Sequence, residues 1–332
     1  MKVLLYTENE KMLSKSGLGK AVRHQQKALE DNNSGYTKNP KDDFDIAHIN
    51  WYGIKSYRLA KWAKKHGKKV VYHAHSTEED FRNSFKLSNQ IAPLFKKWLI
   101  KCYSLGDVII TPTPYSKRLL EGYGLKNIKA ISNGIDTSFF VKDEKAGKFF
   151  REKYGYKEDE KVVMAIGLYL ERKGILDFVE LAKRMPEYKF IWFGYTDLKL
   201  VPAKIKKAVN TKLPNLCFAG YVEPEMIKAA LSGANLYIFP TLEETEGIPI
   251  LEACACKQKA LIRDIGVFEE WLEDGKNVYK AKDVDEFEKK IRDILEEKLE
   301  DLTEEAYKLA LEKDIKTVGK QLIEVYKSLT NI

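Results

Sequence analysis

Sulfur is scarce in this chain. Its four cysteines, Cys102, Cys217, Cys254 and Cys256, form no paired framework, which excludes a disulfide-stapled scaffold and fits a reducing compartment. They also lack the four-ligand spacing of a structural zinc site, and Cys254 and Cys256 fall in an apolar helical stretch where thiols simply pack. No run approaches the ~18 apolar residues of a membrane span, so any contact with a membrane is made from its surface. The opening "MKVLLYTE" meets charge again after four apolar residues; it is read as a first strand, not a signal peptide. Internal repeats and low-complexity tracts are missing too, which leaves a globular chain.

What is present is charge and length. The 332 residues exceed one comfortable core, so two domains are expected. The net charge of +8 is unevenly spread: residues 1–150 carry 27 basic and 15 acidic side chains, residues 151–332 carry 30 and 34. Most of the excess lies in residues 51–130, with 16 basic against 5 acidic. That half should attract an anionic partner.

Short apolar strands alternate with amphipathic helical patterns in two series. The first is "KVLLYT" (2–7), "IAHIN" (46–50), "VVYHAH" (70–75), "DVIITP" (107–112) and "KAISNG" (129–134). The second is "VVMAIG" (162–167), "KFIWFG" (189–194), "LCFAGY" (216–221), "LYIFP" (236–240) and "ALIRD" (260–264). Continuous apolar strands between helices predict parallel sheets covered on both faces, hence two doubly wound α/β domains. The expected division is 1–145, 146–316 and a last amphipathic segment, 317–332. In such sheets ligands bind beyond the carboxyl ends of the strands, so a cleft lined by strand-end loops is expected.

Those loops carry the chemistry. "PTLEETEGIPILEAC" (240–254) reads as strand, acidic loop and helix start, with Pro249 tolerated in the first turn. Glu244 and Glu252 both reach a helix N-terminus that suits a phosphate, through N–H groups near Glu246, Gly247 and Ile248. "GLYLERKG" (167–174) sets Arg172 and Lys173 before another helix. Two cations and a helix N-terminus suffice for a diphosphate, so no metal and no cofactor are expected. Glu252 is then the candidate for ribose hydroxyls. "SKSGLGKA" (14–21) offers Gly17 and Gly19 for close backbone approach but lacks the third glycine of a dinucleotide fingerprint, having Val22 there. "YHAHSTEED" (72–80) puts His73 and His75 at a strand end, where either can meet a sugar. "KDDFD" (41–45) precedes a strand and is read as a surface turn.

In "NQIAPLFKKWLIKCYSLGD" (89–107), Ile91, Leu94, Trp98, Cys102 and Leu105 recur at helical spacing and are read as the core face. Ile100 and Tyr103, beside Lys96, Lys97 and Lys101, are read as an exposed apolar edge of an interfacial helix on an anionic membrane.

The motifs "SGLGKA", "HAHST", "TPYSKRLL", "ISNGID", "GLYLERKG", "FAGYV" and the Glu244–Glu252 pair in "EGIPILEA" together resemble the retaining glycosyltransferases of the GT-B fold, family four. The resemblance implies that Lys173 binds the donor diphosphate, Glu252 the ribose and Glu244 the transferred sugar. It further implies that His75 approaches that sugar, that Gly17 lies near the diphosphate, and that Val222 helps hold the nucleotide. The arginine usual after the strand glycine is replaced by Leu168, and Arg172 stands in for it. The last helix is expected to return to the first domain.

Within the family the chain looks most like Gram-positive diacylglycerol glucosyltransferases, which implies UDP-glucose as donor, a diacylglycerol acceptor and a cytoplasmic enzyme peripheral to the inner membrane face. Two other readings stay open: a soluble member acting on a polysaccharide, cell-wall or protein acceptor, and a non-enzymatic nucleotide or nucleic-acid binder. Nucleic-acid motifs are lacking, so no nucleic-acid partner is expected.

Overall fold

A computed structural model describes residues 1–13 and 16–330. Two separate parallel sheets carry the chain. The first consists of β1 (Val3–Tyr6), β2 (Tyr36–Thr37), β3 (Ile46–Ile49), β4 (Lys69–His73), β5 (Val108–Thr111) and β6 (Ile128–Ala130), in the order β2-β1-β3-β4-β5-β6. Its compact unit takes Met1–Phe81, Gln90–Asp136 and Lys313–Ile332. Because side chains alternate across a strand, the sheet has two apolar faces. Leu4, Ala47, Val70, Tyr72 and Ile109 face one core with Leu99, Cys102 and Tyr103. Val3, Ile46, Val71 and Ile110 face another, closed by Val318, Leu322, Val325 and Tyr326 of the last helix, Ile315–Thr330. That helix lies against α1 (Gly17–Glu30) where Gly319 meets Ala28: a Cβ there would sit 2.4 Å from the Ala28 carbonyl oxygen.

The second sheet is built from β7 (Val162–Ile166), β8 (Lys189–Phe193), β9 (Leu216–Gly220), β10 (Leu236–Phe239), β11 (Ala260–Arg263) and β12 (Tyr279–Ala281), in the order β12-β11-β10-β7-β8-β9. Val163, Phe190, Trp192, Leu236, Ile238 and Leu261 pack on Phe178 and Leu181 and on Phe287 and Ile291. Its unit comprises Arg82–Asn89 and Thr137–Glu312. Residues 137–145 go with it because helix Glu144–Tyr154 packs on Pro224–Gly233, the two meeting at Gly147 and Gly233.

All ten expected strands form, most of them trimmed by a residue or two and the "KAISNG" strand by the most, since it stops at Ala130. The two edge strands β2 and β12 escape the sequence, being two and three residues long. Among the described residues no helix is long and apolar enough to cross a membrane.

Candidate functional site

In the second unit the site begins with a glycine. Gly174 follows a short 3-10 turn, Glu171–Lys173, and adopts φ 76°, left-handed backbone that only glycine takes without strain. A Cβ there would lie 2.0 Å from the Pro240 carbonyl oxygen. This close approach holds the loop after β7 against the loop after its neighbour β10. The Leu242 N–H donates to the Arg172 carbonyl at 2.6 Å, which fastens the two loops together.

As a result the expected cations and the first expected carboxylate meet. Lys173 is ion-paired through Nζ to Glu244 Oε1, and Arg172 Nη1 stands 3.9 Å from Glu244 Oε2. The Thr241 hydroxyl donates to the same carboxylate at 2.9 Å. Arg172 is anchored besides by Nε donating to Ser84 Oγ (2.9 Å) and Nη1 to the Glu243 carbonyl (3.2 Å). Leu168, where the family's arginine was looked for, packs on the core.

Gly247, at φ 91°, opens the helix Ile248–Ala255, with Pro249 in its first turn. The first N–H groups of a helix, here at Gly247 and Ile248, have no intrahelical acceptor and point toward the strand ends. Glu252, one turn in, is fully buried, as is Glu246. Tyr237 of β10, a residue sequence reasoning missed, is fully buried as well. Burial first, then the charges of Glu252 and Glu244, push its phenol well above the ordinary range. The charges of both carboxylates are thus felt at one buried phenol. Val222 follows edge strand β9, at the same carboxyl end of the sheet but two strands away from β7.

In the first unit Gly17 opens α1 after β1, with Ser16 Oγ accepting from the Gly19 N–H at 3.2 Å. Space above Gly17 is open, since a Cβ there would meet nothing within 4 Å. Ser14 and Lys15 of the same motif lie outside the described residues.

The two histidines of "HAHST" separate. His73 is buried, and its Nδ1 lies 2.9 Å from Gln25 Nε2 and 3.1 Å from His48 Nε2. His75, the next ring along, is half-buried, stacked parallel on His73 at 4.1 Å, with Nε2 2.8 Å from Asn50 Oδ1. Desolvation pulls His75 and His48 down to about 3 and His73 well below its usual value, so all three are neutral. His24 of α1, also lowered by burial to about 4, faces the Asn133 and Gly134 carbonyls at 3.2 and 2.9 Å and so clasps the "ISNGID" turn. His48 and Asn50 gave no signal in sequence because they sit in an ordinary apolar strand, and Gln25 because it sits among the polar residues of a helix.

The basic helix, Ser88–Tyr103, corrects the expected stripe. Tyr103 is only 1% exposed, and Leu99, Cys102 and Ala92 are buried with it. Ile91 and Leu94 are instead 46% and 67% exposed. The helix carries two apolar rows: Leu99, Cys102 and Tyr103 lie in the core with Phe95, Trp98 and Leu105 packed against it, the Trp98 indole N–H donating to the Tyr52 carbonyl (2.7 Å), so of the expected stripe Trp98, Cys102 and Leu105 meet the core and Ile91 and Leu94 do not. Ile100 is half-buried against that core. Lys96 is drawn inward to Glu78 at 3.2 Å and over the Tyr123 ring at 4.1 Å, whereas Lys97 and Lys101 are exposed. The outward row is therefore Ile91, Leu94, Lys97 and Lys101.

Two doubly wound sheets, with paired cations and carboxylates at the strand ends of the second, define a GT-B glycosyltransferase. Residues 31–139 match the family model "Glycosyltransferase Family 4" and residues 147–309 match "Glycosyl transferases group 1". The processive diacylglycerol alpha-glucosyltransferase of Acholeplasma laidlawii is 40% identical over 100% of this chain and 99% of its own. The alpha-galactosylglucosyldiacylglycerol synthase of Streptococcus pneumoniae is 24% identical, over 71% of this chain and 65% of its own. The chain belongs to glycosyltransferase family 4. In fold it is similar to Anabaena HepE, solved with UDP and glucose, at a TM-score of 0.78 and 16% identity, covering 99% of this chain and 100% of that one. Membership in a transferase family displaces the non-enzymatic reading.

Proposed function

We propose that this glycosyltransferase moves glucose from UDP-glucose to diacylglycerol, with retention and without a metal ion. The observation that carries the acceptor is the full-length likeness to a diacylglycerol alpha-glucosyltransferase. The exposed row Ile91, Leu94, Lys97 and Lys101 supports a surface-bound enzyme at the inner membrane face, since apolar residues beside lysines suit an anionic interface.

As the donor bond breaks, charge grows on the leaving diphosphate. Lys173, Arg172 and the Gly247 and Ile248 N–H groups stabilise it more in the transition state than before. Glu252 takes the ribose hydroxyls and Glu244 the sugar's, while Val222 helps hold the nucleotide. With Glu244 committed to Lys173, Arg172 and Thr241, it is poorly suited to act as a nucleophile; the acceptor attacks on the face the leaving group departs from, and the leaving phosphate takes its proton. In the first unit His75 meets a sugar hydroxyl.

Calorimetric titration of the protein with UDP and UDP-glucose in EDTA tests the donor side. Binding that survives chelation supports the proposal; binding restored only by added magnesium refutes metal independence.

A further inference from the structure

The polar residues packed behind His75 form one continuous chain whose direction is fixed at its far end. Tyr326 of the last helix is buried, and its hydroxyl lies 2.6 Å from His48 Nδ1. Among the described residues that hydroxyl has no other side-chain or backbone acceptor, and its buried proton is hydrogen-bonded only when it donates to His48 Nδ1, which sets the direction. The His48 proton is then on Nε2, which donates to His73 Nδ1 at 3.1 Å. Because His73 Nδ1 accepts, the Gln25 amide atom 2.9 Å from it is the nitrogen, which shares that single lone pair with His48 and donates to Asn50 Oδ1 at 2.9 Å. With Asn50 Oδ1 held as an acceptor, the 2.8 Å contact to His75 must be His75 Nε2–H donating. His75 Nδ1 is thereby left as a lone pair without a hydrogen-bond partner among the described residues.

We infer that Asn50 and Tyr326 are positioning residues: through Gln25, His73 and His48 they fix His75 as its Nε2–H tautomer, so that it accepts a hydrogen bond from a substrate hydroxyl and never donates one. The inference rests on the proposed role of His75 toward the transferred sugar. The network behind this ring is built of uncharged polar side chains, Asn50 and His73 touching His75 and Gln25, His48 and Tyr326 standing behind them. The nearby carboxylates are engaged elsewhere, Glu8 on the Ser56 N–H at 3.0 Å, Glu78 on Lys96 and Glu79 on the Tyr123 hydroxyl. Nothing near His75 therefore favours its charged form, in keeping with its lowered pKa.

Long-range nitrogen–proton NMR of the full chain, labelled in histidine and free of ligand, reads the tautomer directly. The expected spectrum shows His75 neutral and protonated on Nε2 from pH 5 to 8; an Nδ1–H or charged ring overturns the inference. Asn50→Asp keeps the acceptor and adds charge. It should raise the His75 pKa into the measured range, and its transferase activity should fall as pH drops through that value while the parent stays level. Coincident pH profiles, with the NMR titration shifted, would show that the lone pair does no work. Tyr326→Phe removes one oxygen and should lower kcat about threefold or more with donor KM within about twofold; an unchanged kcat removes Tyr326 from the chain. UDP titration of the parent is the control: if UDP fails to bind, the donor reading fails whatever the tautomer.

Discussion

Lys173 and Glu244, 71 residues apart in sequence, are joined in an ion pair at the carboxyl ends of adjacent strands. On the proposed donor site each is the other's placeholder: a diphosphate would take Lys173, and sugar hydroxyls would take Glu244. Binding of the donor thus exchanges one charge-assisted contact for two. Charge-assisted hydrogen bonds are worth about 1.5–3 kcal/mol, so Lys173→Ala should lower turnover at least about tenfold. Turnover within about twofold of the parent would remove Lys173 from the mechanism.

Glu244→Gln separates the two partners. It frees Lys173 from its competitor, so UDP should bind as tightly as to the parent or more tightly, while transfer of the sugar falls. Weaker UDP binding, measured by calorimetry, would contradict the placeholder relationship.

The meeting of the two loops depends on Gly174. With φ 76° and the Pro240 carbonyl oxygen where a Cβ would sit, Gly174→Ala must shift backbone. A cost of roughly 2 kcal/mol or more is expected, with Tm lowered and donor affinity lost together. An unchanged Tm would mean the loops tolerate separation.

For the membrane face, Leu94→Glu with Lys97→Glu and Lys101→Glu should abolish sedimentation with anionic liposomes at moderate salt and leave UDP binding intact. Each lysine near such a surface contributes about 1 kcal/mol. Tyr103→Glu, by contrast, should unfold the first unit, because that ring is core. Unchanged liposome binding by the triple variant would sink the interfacial row.

Acid should destabilise the chain. His24, His48, His73 and His75 have folded pKa values below that of an unfolded histidine, about 6.5. The unfolded chain then binds more protons, so stability is fully present above pH ~6.5 and falls as pH drops toward the folded values near 4 and 3. Urea midpoints from pH 8 to 4 check this; a flat profile would mean that these rings protonate in the native fold.

Much of this was legible because the information was local. Continuous apolar strands announce buried parallel sheets, and "EGIPILEA" and "GLYLERKG" place cations and carboxylates at strand ends by position alone. The basic helix was misread for a physical reason: two apolar rows share one helical period, and only the partner sheet decides which is buried. Gln25, His48, Asn50 and Tyr326 were invisible because each becomes informative only beside the others, across as many as 278 residues for His48 and Tyr326.

The most direct measurement is mass spectrometry of products after incubation with UDP-glucose, and separately UDP-galactose, and diacylglycerol in anionic liposomes with EDTA present. The account predicts a hexosyl diacylglycerol from UDP-glucose. Release of UDP with no glycolipid would contradict the lipid acceptor, and no release from either nucleotide sugar would contradict the donor itself.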